Sequence, residues 1–243
     1  MQTTKKTLPQ RAVTLRRANA RGHANHGWLD SHHTFSFADY HDPAQMGFRA
    51  LRVINDDRVA PGAGFPTHPH RDMEIVSYVV EGALEHKDSE GNGSVIVPGD
   101  VQRMSAGSGI RHSEYNHSKD HPVRFLQIWI LPNARGGAPG YEQKHFPPQE
   151  RRGALRLVAS ADGQHGSVAL RQDVRIHAGL LAAADAVTHS FAEGRHGWLQ
   201  IVRGNVRALE HSLGEGDGLA LSGVSELPIV AGDSAEFLLF DLA

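Results

Sequence analysis

The chain has 243 residues, 17 histidines and no cysteine. A net charge of -2 gives no general attraction to nucleic acid or acidic membranes, and the absence of thiols excludes disulfides, iron–sulfur clusters, thiolate zinc sites and cysteine nucleophiles. Any metal must therefore be held by nitrogen and oxygen donors, and the length suits one large β domain or two of ordinary size.

The amino-terminal segment is basic, because its first 29 residues contain six lysine and arginine residues and no acid. An organelle transit peptide shares this composition, but an exposed leader before a first strand around Arg11 to Leu15 is the simpler interpretation. No apolar run approaches the roughly 18 residues of a membrane helix, and no apolar signal region follows Met1. The sequence therefore predicts a cytoplasmic protein without membrane contact.

An aromatic-rich segment runs from Trp28 to Tyr40 without a helical period. Alternation from Thr34 to Phe37 predicts an extended stretch with one buried face. His32 and His33 lack a same-face partner two residues away. We therefore expect buried, hydrogen-bonded or rim histidines there rather than metal ligands.

Short strands separated by glycine, proline and aspartate turns fill the rest of the first half. Ala50–Asn55 is predicted as a strand, and we expect Asp56 and Asp57 to form a solvated turn at its end, since adjacent side chains diverge on an extended chain. Val123–Leu131 is the most apolar segment and is predicted to be a core strand. This spacing favours a sandwich or jelly-roll barrel over an α/β fold.

Potential metal ligands occur in two pairs. His68 and His70 stand two residues apart, and so do His112 and Glu114. Alternate side chains of a strand share a face and neighbouring strands lie about 4.8 Å apart, so the two pairs can converge on one point. Three imidazoles and a carboxylate can then hold a divalent metal through bonds of about 2.0–2.2 Å.

The alternative is that these histidines only satisfy hydrogen bonds in the core. Four polar side chains inside a barrel would each cost about 1–3 kcal/mol unless paired, which favours a bound ion. Glu74 competes with Glu114, because it follows His70 by four residues and shares its strand parity. We expect one carboxylate to bind the metal and the other to form a hydrogen bond near a ligand imidazole.

The second half repeats the layout of the first. Between Pro132 and Pro148 the composition shifts to glycine, proline and charged residues, which predicts a first barrel over residues 1–135, a linker over 136–150 and a second barrel over 151–243. Three segments of the second barrel parallel segments of the first, which predicts a duplicated barrel. They are Trp198–Leu209 with Ser77–Glu85, Gly216–Leu221 with Gly99–Met104, and Phe237–Leu242 with Phe125–Ile130.

The second barrel has lost the ligands. The positions that correspond to His68 and His70 are Ser190 and Ala192, and no late histidine can replace His112. We therefore expect no second metal. We expect His189, His196 and His211 of this half to occupy surface or rim positions.

With these residues assembled, the chain resembles the pirin family of bicupins, specifically its bacterial pirin-like quercetinases. The likeness covers most of the chain and is most specific in the first half. It implies an all-β fold of two jelly-roll (cupin) barrels in tandem. The matching segments are Trp28–Tyr40 with its His-Thr-Phe-Ser-Phe core, Leu51–Asp57, Gly64–Gly82, Ala106–Asn116 and Tyr141–Gln143.

The resemblance also implies a ligand set. By analogy the metal is held by His68, His70, His112 and Glu114, which favours Glu114 over Glu74. One divalent ion per chain is implied, Fe(II) in most members, while nickel, copper, manganese, cobalt or zinc also suit a nitrogen–oxygen site. The side chains expected to line the pocket are Phe37, Phe48, Phe65, Met104 and Trp129.

The activity implied by the resemblance is ring opening of a flavonol such as quercetin by dioxygen, with Glu114 accepting the hydroxyl proton. Two alternatives are an iron-dependent redox-sensing regulator that acts through a protein partner and a binding module for a small aromatic compound. Nothing resembles a helix-turn-helix or a basic recognition helix, so direct binding of nucleic acid is not expected. A monomer is expected, because duplicated barrels can cover one another's edges.

Overall fold

The computed structural model describes residues 12–243, and the expected leader ahead of Ala12 lies outside these residues. Within this range no helix is long and apolar enough to cross a membrane. The first half is built from β1 (Ala12–Arg16), β2 (Gly22–Asn25), β3 (Leu29–His33), β4 (Leu51–Val59), β5 (Gly64–His70), β6 (Glu74–Glu81), β7 (Leu84–Asp88), β8 (Gly93–Ile96), β9 (Asp100–Ser105), β10 (Ile110–Asn116), β11 (Val123–Ile130) and β12 (Gly140–His145). After the short helix α1 (Pro148–Arg151), the second half contains β13 (Arg156–Ser160), β14 (Val168–Ala169), β15 (Val174–Leu181), β16 (Ala186–Ser190), β17 (His196–Arg203), β18 (Asn205–Ala208), β19 (His211–Gly214), β20 (Gly218–Ser222), β21 (Glu226–Ala231) and β22 (Ala235–Leu242).

Each half pairs a seven-stranded sheet with a four-stranded sheet. In the first barrel the strand orders are β12-β9-β6-β11-β4-β3-β2 and β5-β10-β7-β8. In the second barrel they are β1-β20-β17-β22-β15-β13-β14 and β16-β21-β18-β19. The same order of equivalent strands in both halves confirms the predicted all-β fold with two cupin barrels in tandem.

The hydrophobic core has separate parts inside and between the barrels. Val79 and Phe125 point into the first barrel, where they pack with Leu84 of the four-stranded sheet. Their strand neighbours, including Tyr78 and Leu126, point the other way and join a cluster that contains Trp198 of the second barrel. The central strands are therefore buried on both faces, which explains the continuous apolar run of β11.

Two glycines mark the duplication in the backbone. Gly82 and Gly204 end β6 and β17 with φ angles of 75° and 71°, a region that favours glycine. A Cβ atom at Gly82 would lie 2.7 Å from the carbonyl oxygen of Pro122, and one at Gly204 would lie 1.9 Å from that of Ser234. Both turns therefore exclude larger residues for the same two reasons.

Asp56 and Asp57 do not form a solvated turn, so that prediction was wrong. Both lie inside β4 and are buried. Asp56 faces the second barrel and accepts two hydrogen bonds from Arg124, at 2.8 and 2.9 Å, while Asp57 faces the barrel interior and accepts one from Ser31. The acids can be buried because their partners come from neighbouring strands that are distant in sequence.

The boundaries of the two halves are crossed by strand pairing. β12, within the expected linker, pairs with β9 of the first barrel. β1 pairs with β20 of the second barrel, with Ala12 opposite Ser222 and Arg16 opposite Gly218. The start of the chain thus completes the second sheet, although the division at residues 135 and 151 places it with the first barrel.

Candidate metal centre

The two predicted ligand strands are neighbours. β10 lies between β5 and β7, and His112 is directly opposite His68 in the register. Donor atoms of His68, His70 and His112 all lie within 4.8 Å of one another, and the ring centroids are 4.5–4.9 Å apart. Metal–nitrogen bonds of about 2.0–2.1 Å place adjacent ligand atoms roughly 3 Å apart, so small side-chain adjustments suffice to bind an ion.

The environment of His70 and His112 favours their neutral, metal-binding form, and a hydrogen bond orients His68. Burial, together with the neighbouring histidines, lowers the pKa of His70 to about 4 and that of His112 to about 3. Nδ1 of His68 is 2.8 Å from the carbonyl oxygen of Pro66, which fixes the proton on Nδ1 and leaves Nε2 as the donor atom. Nε2 of His112 is buried and has no hydrogen-bond partner among the described residues.

A relay of side chains behind His112 orients its ring. Nδ1 of His112 is 3.3 Å from Nδ1 of His86, and Nε2 of His86 is 3.3 Å from a carboxylate oxygen of Asp88. Because a carboxylate only accepts, His86 donates to Asp88 through Nε2, and its Nδ1 then accepts the Nδ1 proton of His112. His112 therefore carries its proton on Nδ1 and has an unprotonated Nε2, which is the tautomer that can bind a metal through Nε2. His86 was not among the predicted site residues, although its spacing from Asp88 in β7 repeats the His-x-acid pattern.

Glu114 is buried behind the histidines. Gln127 donates a hydrogen bond of 2.7 Å to its Oε2, and Ser77 donates one of 3.2 Å to its Oε1. A register shift separates His112 from Glu114, and the Glu114 donor atom groups with His86 and His112. Both donor groups share His112, so a fourfold set with Glu114 stays a prediction.

Glu74 lies elsewhere. It is buried and accepts hydrogen bonds from the Ser105 hydroxyl at 2.8 Å and from the backbone N–H of Arg171 at 3.2 Å. No hydrogen bond joins it to a histidine in the described part of the chain, so the expected contact with a ligand imidazole was wrong. Glu74 does not share a face with His70, because Asp72 between β5 and β6 has a left-handed φ of 51° and β6 belongs to the other sheet.

A cavity of about 660 Å³ opens beside the histidine cluster, between the two sheets of the first barrel. Its wall includes His68, His70 and Glu114, and also three of the five aromatic or apolar residues predicted for the pocket, namely Phe37, Phe65 and Trp129. The other two predictions were wrong. Phe48 packs against Trp198 between the barrels, with ring centroids 5.8 Å apart, and Met104 is fully buried in the core.

The seven-stranded sheet contributes a polar wall to this cavity. Ser31 and His33 of β3 are directly opposite Asp57 and Asn55 of β4, and all four residues line the cavity. Nδ1 of His33 is 2.9 Å from the side-chain oxygen of Asn55. The prediction that His33 is a buried, hydrogen-bonded residue is confirmed, whereas the polar wall as a whole was missed.

His32 does have same-face partners, contrary to expectation. Asp30 precedes it by two residues on β3, and His23 is directly opposite on β2. Nε2 of His23 is 2.7 Å from Oδ1 of Asp30, and Nδ1 of His32 is 3.9 Å from the same atom. These three partly exposed residues, the rim group, can also hold an added cation.

Two histidines of the second barrel have polar partners other than a metal. Nε2 of His189 is 3.0 Å from Asp241, and Nδ1 of His196 is 2.7 Å from the Ser222 hydroxyl. All three groups of metal-competent donor atoms found within residues 12–243 belong to the first barrel. That the second barrel binds no metal stays a prediction.

Comparison with known proteins places the chain in a family. Residues 14–130 match the family model Pirin, and residues 157–242 match the model of the quercetinase C-terminal cupin domain. The chain is 49% identical over 230 residues to quercetin 2,3-dioxygenase of Escherichia coli strain K12, covering 95% of this chain and 98% of that protein. The chain belongs to the pirin family.

Solved pirin structures agree with the fold. The crystal structure of YhhW from Escherichia coli has a TM-score of 0.92 and 48% identity, and the match covers 96% of this chain and 98% of that one. The bacterial pirin YhhW in complex with nickel(II) has a TM-score of 0.91 and 48% identity, with coverage of 95% and 99%. A pirin-like protein of Caulobacter vibrioides is 44% identical over 223 residues, which are 91% of this chain and 96% of that protein.

Proposed function

We propose that this pirin is a metal-dependent oxidoreductase that opens the ring of a flavonol such as quercetin with dioxygen. The observation that carries the proposal is the meeting of three imidazoles, with donor atoms within 4.8 Å of one another, at the wall of a large cavity lined by aromatic side chains. Relatives named quercetin 2,3-dioxygenase, at 49% and 44% identity, support the same assignment.

The residues present fit a divalent cation. Nε2 of His112 is buried and has no hydrogen-bond partner in the described part of the chain, and such an atom costs about 1–3 kcal/mol unless it binds something. Nitrogen donors from His68, His70 and His112 with one oxygen from Glu114 suit Fe(II), nickel and the other divalent ions of the first transition row. We assign these four residues as the ligands and Fe(II) as the native ion. Bound there, the ion would supply Lewis acidity and a place for oxygen and the flavonol to meet.

Glu114 is the proposed base. Its carboxylate lies at the cavity wall, held in place by Gln127 and Ser77, so it can accept the proton of a flavonol hydroxyl that is presented to the histidine cluster. Fixing the carboxylate before the substrate arrives avoids reorganisation during proton transfer.

Aromatic side chains position the flat substrate. Phe37 and Trp129 form an edge-to-face pair with centroids 5.3 Å apart, and Trp28 and Phe65 form another at 5.2 Å. His70 packs edge-to-face against Trp129 at 5.0 Å, so the aromatic wall continues directly to the ligand cluster. Such surfaces bind aromatic rings and exclude water from the reacting atoms.

The test is turnover by the loaded protein. The metal-free chain is supplied with one equivalent of Fe(II) and then with quercetin in air, and loss of flavonol absorbance is followed together with release of carbon monoxide. His70→Ala and Glu114→Ala are expected to abolish both signals. His117→Ala, which removes an exposed histidine that contacts Glu85, is the matched control and should retain turnover. Tight metal binding without turnover of any flavonol would instead favour the redox-sensing regulator.

A further inference from the structure

The polar wall contains a buried acid that the proposed reaction does not use. Asp57 has a relative exposure of 3% and lines the cavity. One of its oxygens, Oδ1, accepts a hydrogen bond from Ser31. The other oxygen has no hydrogen-bond partner within residues 12–243. Because the carboxyl group faces the cavity, its second oxygen is placed to form a hydrogen bond with a ligand that enters there.

The surroundings of Asp57 restrict what that ligand can be. Burial, with a smaller contribution from the charges of Asp56 and Glu114, raises the pKa of Asp57 to about 7, although the hydrogen bond from Ser31 acts in the opposite direction. Among residues 12–243, no arginine or lysine lines the cavity. A neutral hydroxyl therefore fits better than a charged group, since it can donate to a carboxylate and accept from a carboxylic acid.

The aromatic residues that line the cavity indicate what kind of molecule carries this hydroxyl. Aromatic side chains border the space between the polar wall and the histidine cluster, among them Trp28, Phe65 and Trp129. Asp57 belongs to the seven-stranded sheet, whereas the histidines belong to the four-stranded sheet that faces it. A flat molecule held between these aromatic rings can thus present one end to the histidines and another to Asp57.

We propose that Asp57 and Ser31 form a hydrogen-bonding subsite for a ring hydroxyl of the aromatic substrate, separate from the hydroxyl that meets the histidine cluster. This subsite rests on the proposed function, because it concerns the substrate of the same cavity. It favours polyhydroxylated flavonols over those that carry only the 3-hydroxyl. Recognition by Asp57 then contributes to substrate affinity rather than to the chemical step.

Binding to the full chain loaded with Zn(II), which is redox-inert, tests the subsite without turnover. Bound flavonols quench the fluorescence of Trp28 and Trp129, which line the cavity. Quercetin is compared with 3-hydroxyflavone, which lacks the other ring hydroxyls. Asp57→Ala is expected to weaken quercetin binding about 10- to 100-fold and 3-hydroxyflavone binding less than about threefold, as expected for one hydrogen bond to a buried acid.

Two further variants keep the result interpretable. Ser31→Ala leaves the Asp57 carboxyl in place and is expected to weaken quercetin binding without changing 3-hydroxyflavone binding. This variant tests the subsite even if the Asp57 variant does not fold. Asp120→Asn, at an exposed position outside the cavity, is the control and should bind both ligands normally. Equal weakening of both ligands in the Asp57 and Ser31 variants, or no weakening of quercetin, would overturn the subsite. If the variants show the expected difference between the two ligands but the Fe(II)-loaded protein turns over no flavonol, the subsite is supported and the proposed reaction is refuted.

Discussion

Replacing His86 by phenylalanine tests whether the residues behind the ligand cluster control metal binding. His86 is fully buried and stacks on Tyr141 with ring centroids 5.1 Å apart, so phenylalanine keeps the aromatic contact and most of the volume. The substitution removes the acceptor for the Nδ1 proton of His112. Asp88 stays satisfied, because the Asn92 side chain and two backbone N–H groups also donate to it.

The expected loss of metal affinity follows from the hydrogen bonds that the substitution removes. Both contacts of His86 are long, at 3.3 Å, and neutral hydrogen bonds contribute about 0.5–1.5 kcal/mol each. The freed ring of His112 must then be ordered by the metal itself. We expect a 10- to 100-fold loss of metal affinity, which is about 1.4–2.7 kcal/mol.

Competition between the protein and a chromophoric chelator for nickel(II) measures this loss. The titration is made in a His32→Ala background, since the rim group could bind nickel as well. His117→Ala in the same background is the control and should leave the affinity unchanged. If a folded His86→Phe protein binds nickel within about threefold of its parent, the relay does not orient His112 and our account of its tautomer fails.

Three further predictions concern stability. Saturating the chain with nickel(II) at about 100 times its Kd should stabilise it by about 2.7 kcal/mol, seen as a rise in Tm, and His70→Ala should remove this rise; an undiminished rise in that variant would locate the metal elsewhere. Arg124→Met should lower the free energy of unfolding by about 3 kcal/mol in a denaturant titration. The substitution removes the main ion-pair partner of the buried Asp56 and leaves the weaker contact to Arg21 at 3.6 Å. A loss below about 1 kcal/mol would contradict this. The raised pKa of Asp57 means that the folded state holds its proton more tightly than the unfolded state between about pH 4 and pH 7, so stability should fall across this window by up to about 4 kcal/mol as pH rises. Asp57→Asn should flatten that slope in the metal-free protein, and an unchanged slope would exclude Asp57 as its source.

Strand periodicity was sufficient to predict part of the ligand cluster. His68 and His70 share a face because they stand two residues apart, which follows from the local sequence pattern, whereas the adjacency of their strand to that of His112 was an assumption that the structure supports. The duplication was also predictable from the sequence pattern, since Gly82 and Gly204 impose the same turn on both barrels.

Residues whose roles depend on distant partners were not predictable. Asp57 looks like half of a polar turn until Ser31, 26 residues earlier, is seen opposite it. Glu74 has the strand periodicity expected of a ligand, but the left-handed backbone conformation of Asp72 interrupts the strand and Glu74 lies in another sheet. His86 forms a His-x-Asp pattern with Asp88, but its place behind His112 is visible only once β7 is known to pair with β10. The roles of Asp57 and His86 depend on tertiary pairing that a single sequence does not encode locally, whereas the Asp30 partner of His32 could have been found from its spacing of two residues.

A crystal structure of the chain grown with one equivalent of nickel(II) tests the central claim most directly. Anomalous scattering locates the ion independently of any assumption about ligands. Our account predicts one peak in the first barrel, about 2.0–2.2 Å from a nitrogen of each of His68, His70 and His112 and from an oxygen of Glu114. A peak only at His23, Asp30 and His32, or one in the second barrel with none at the predicted cluster, would contradict it.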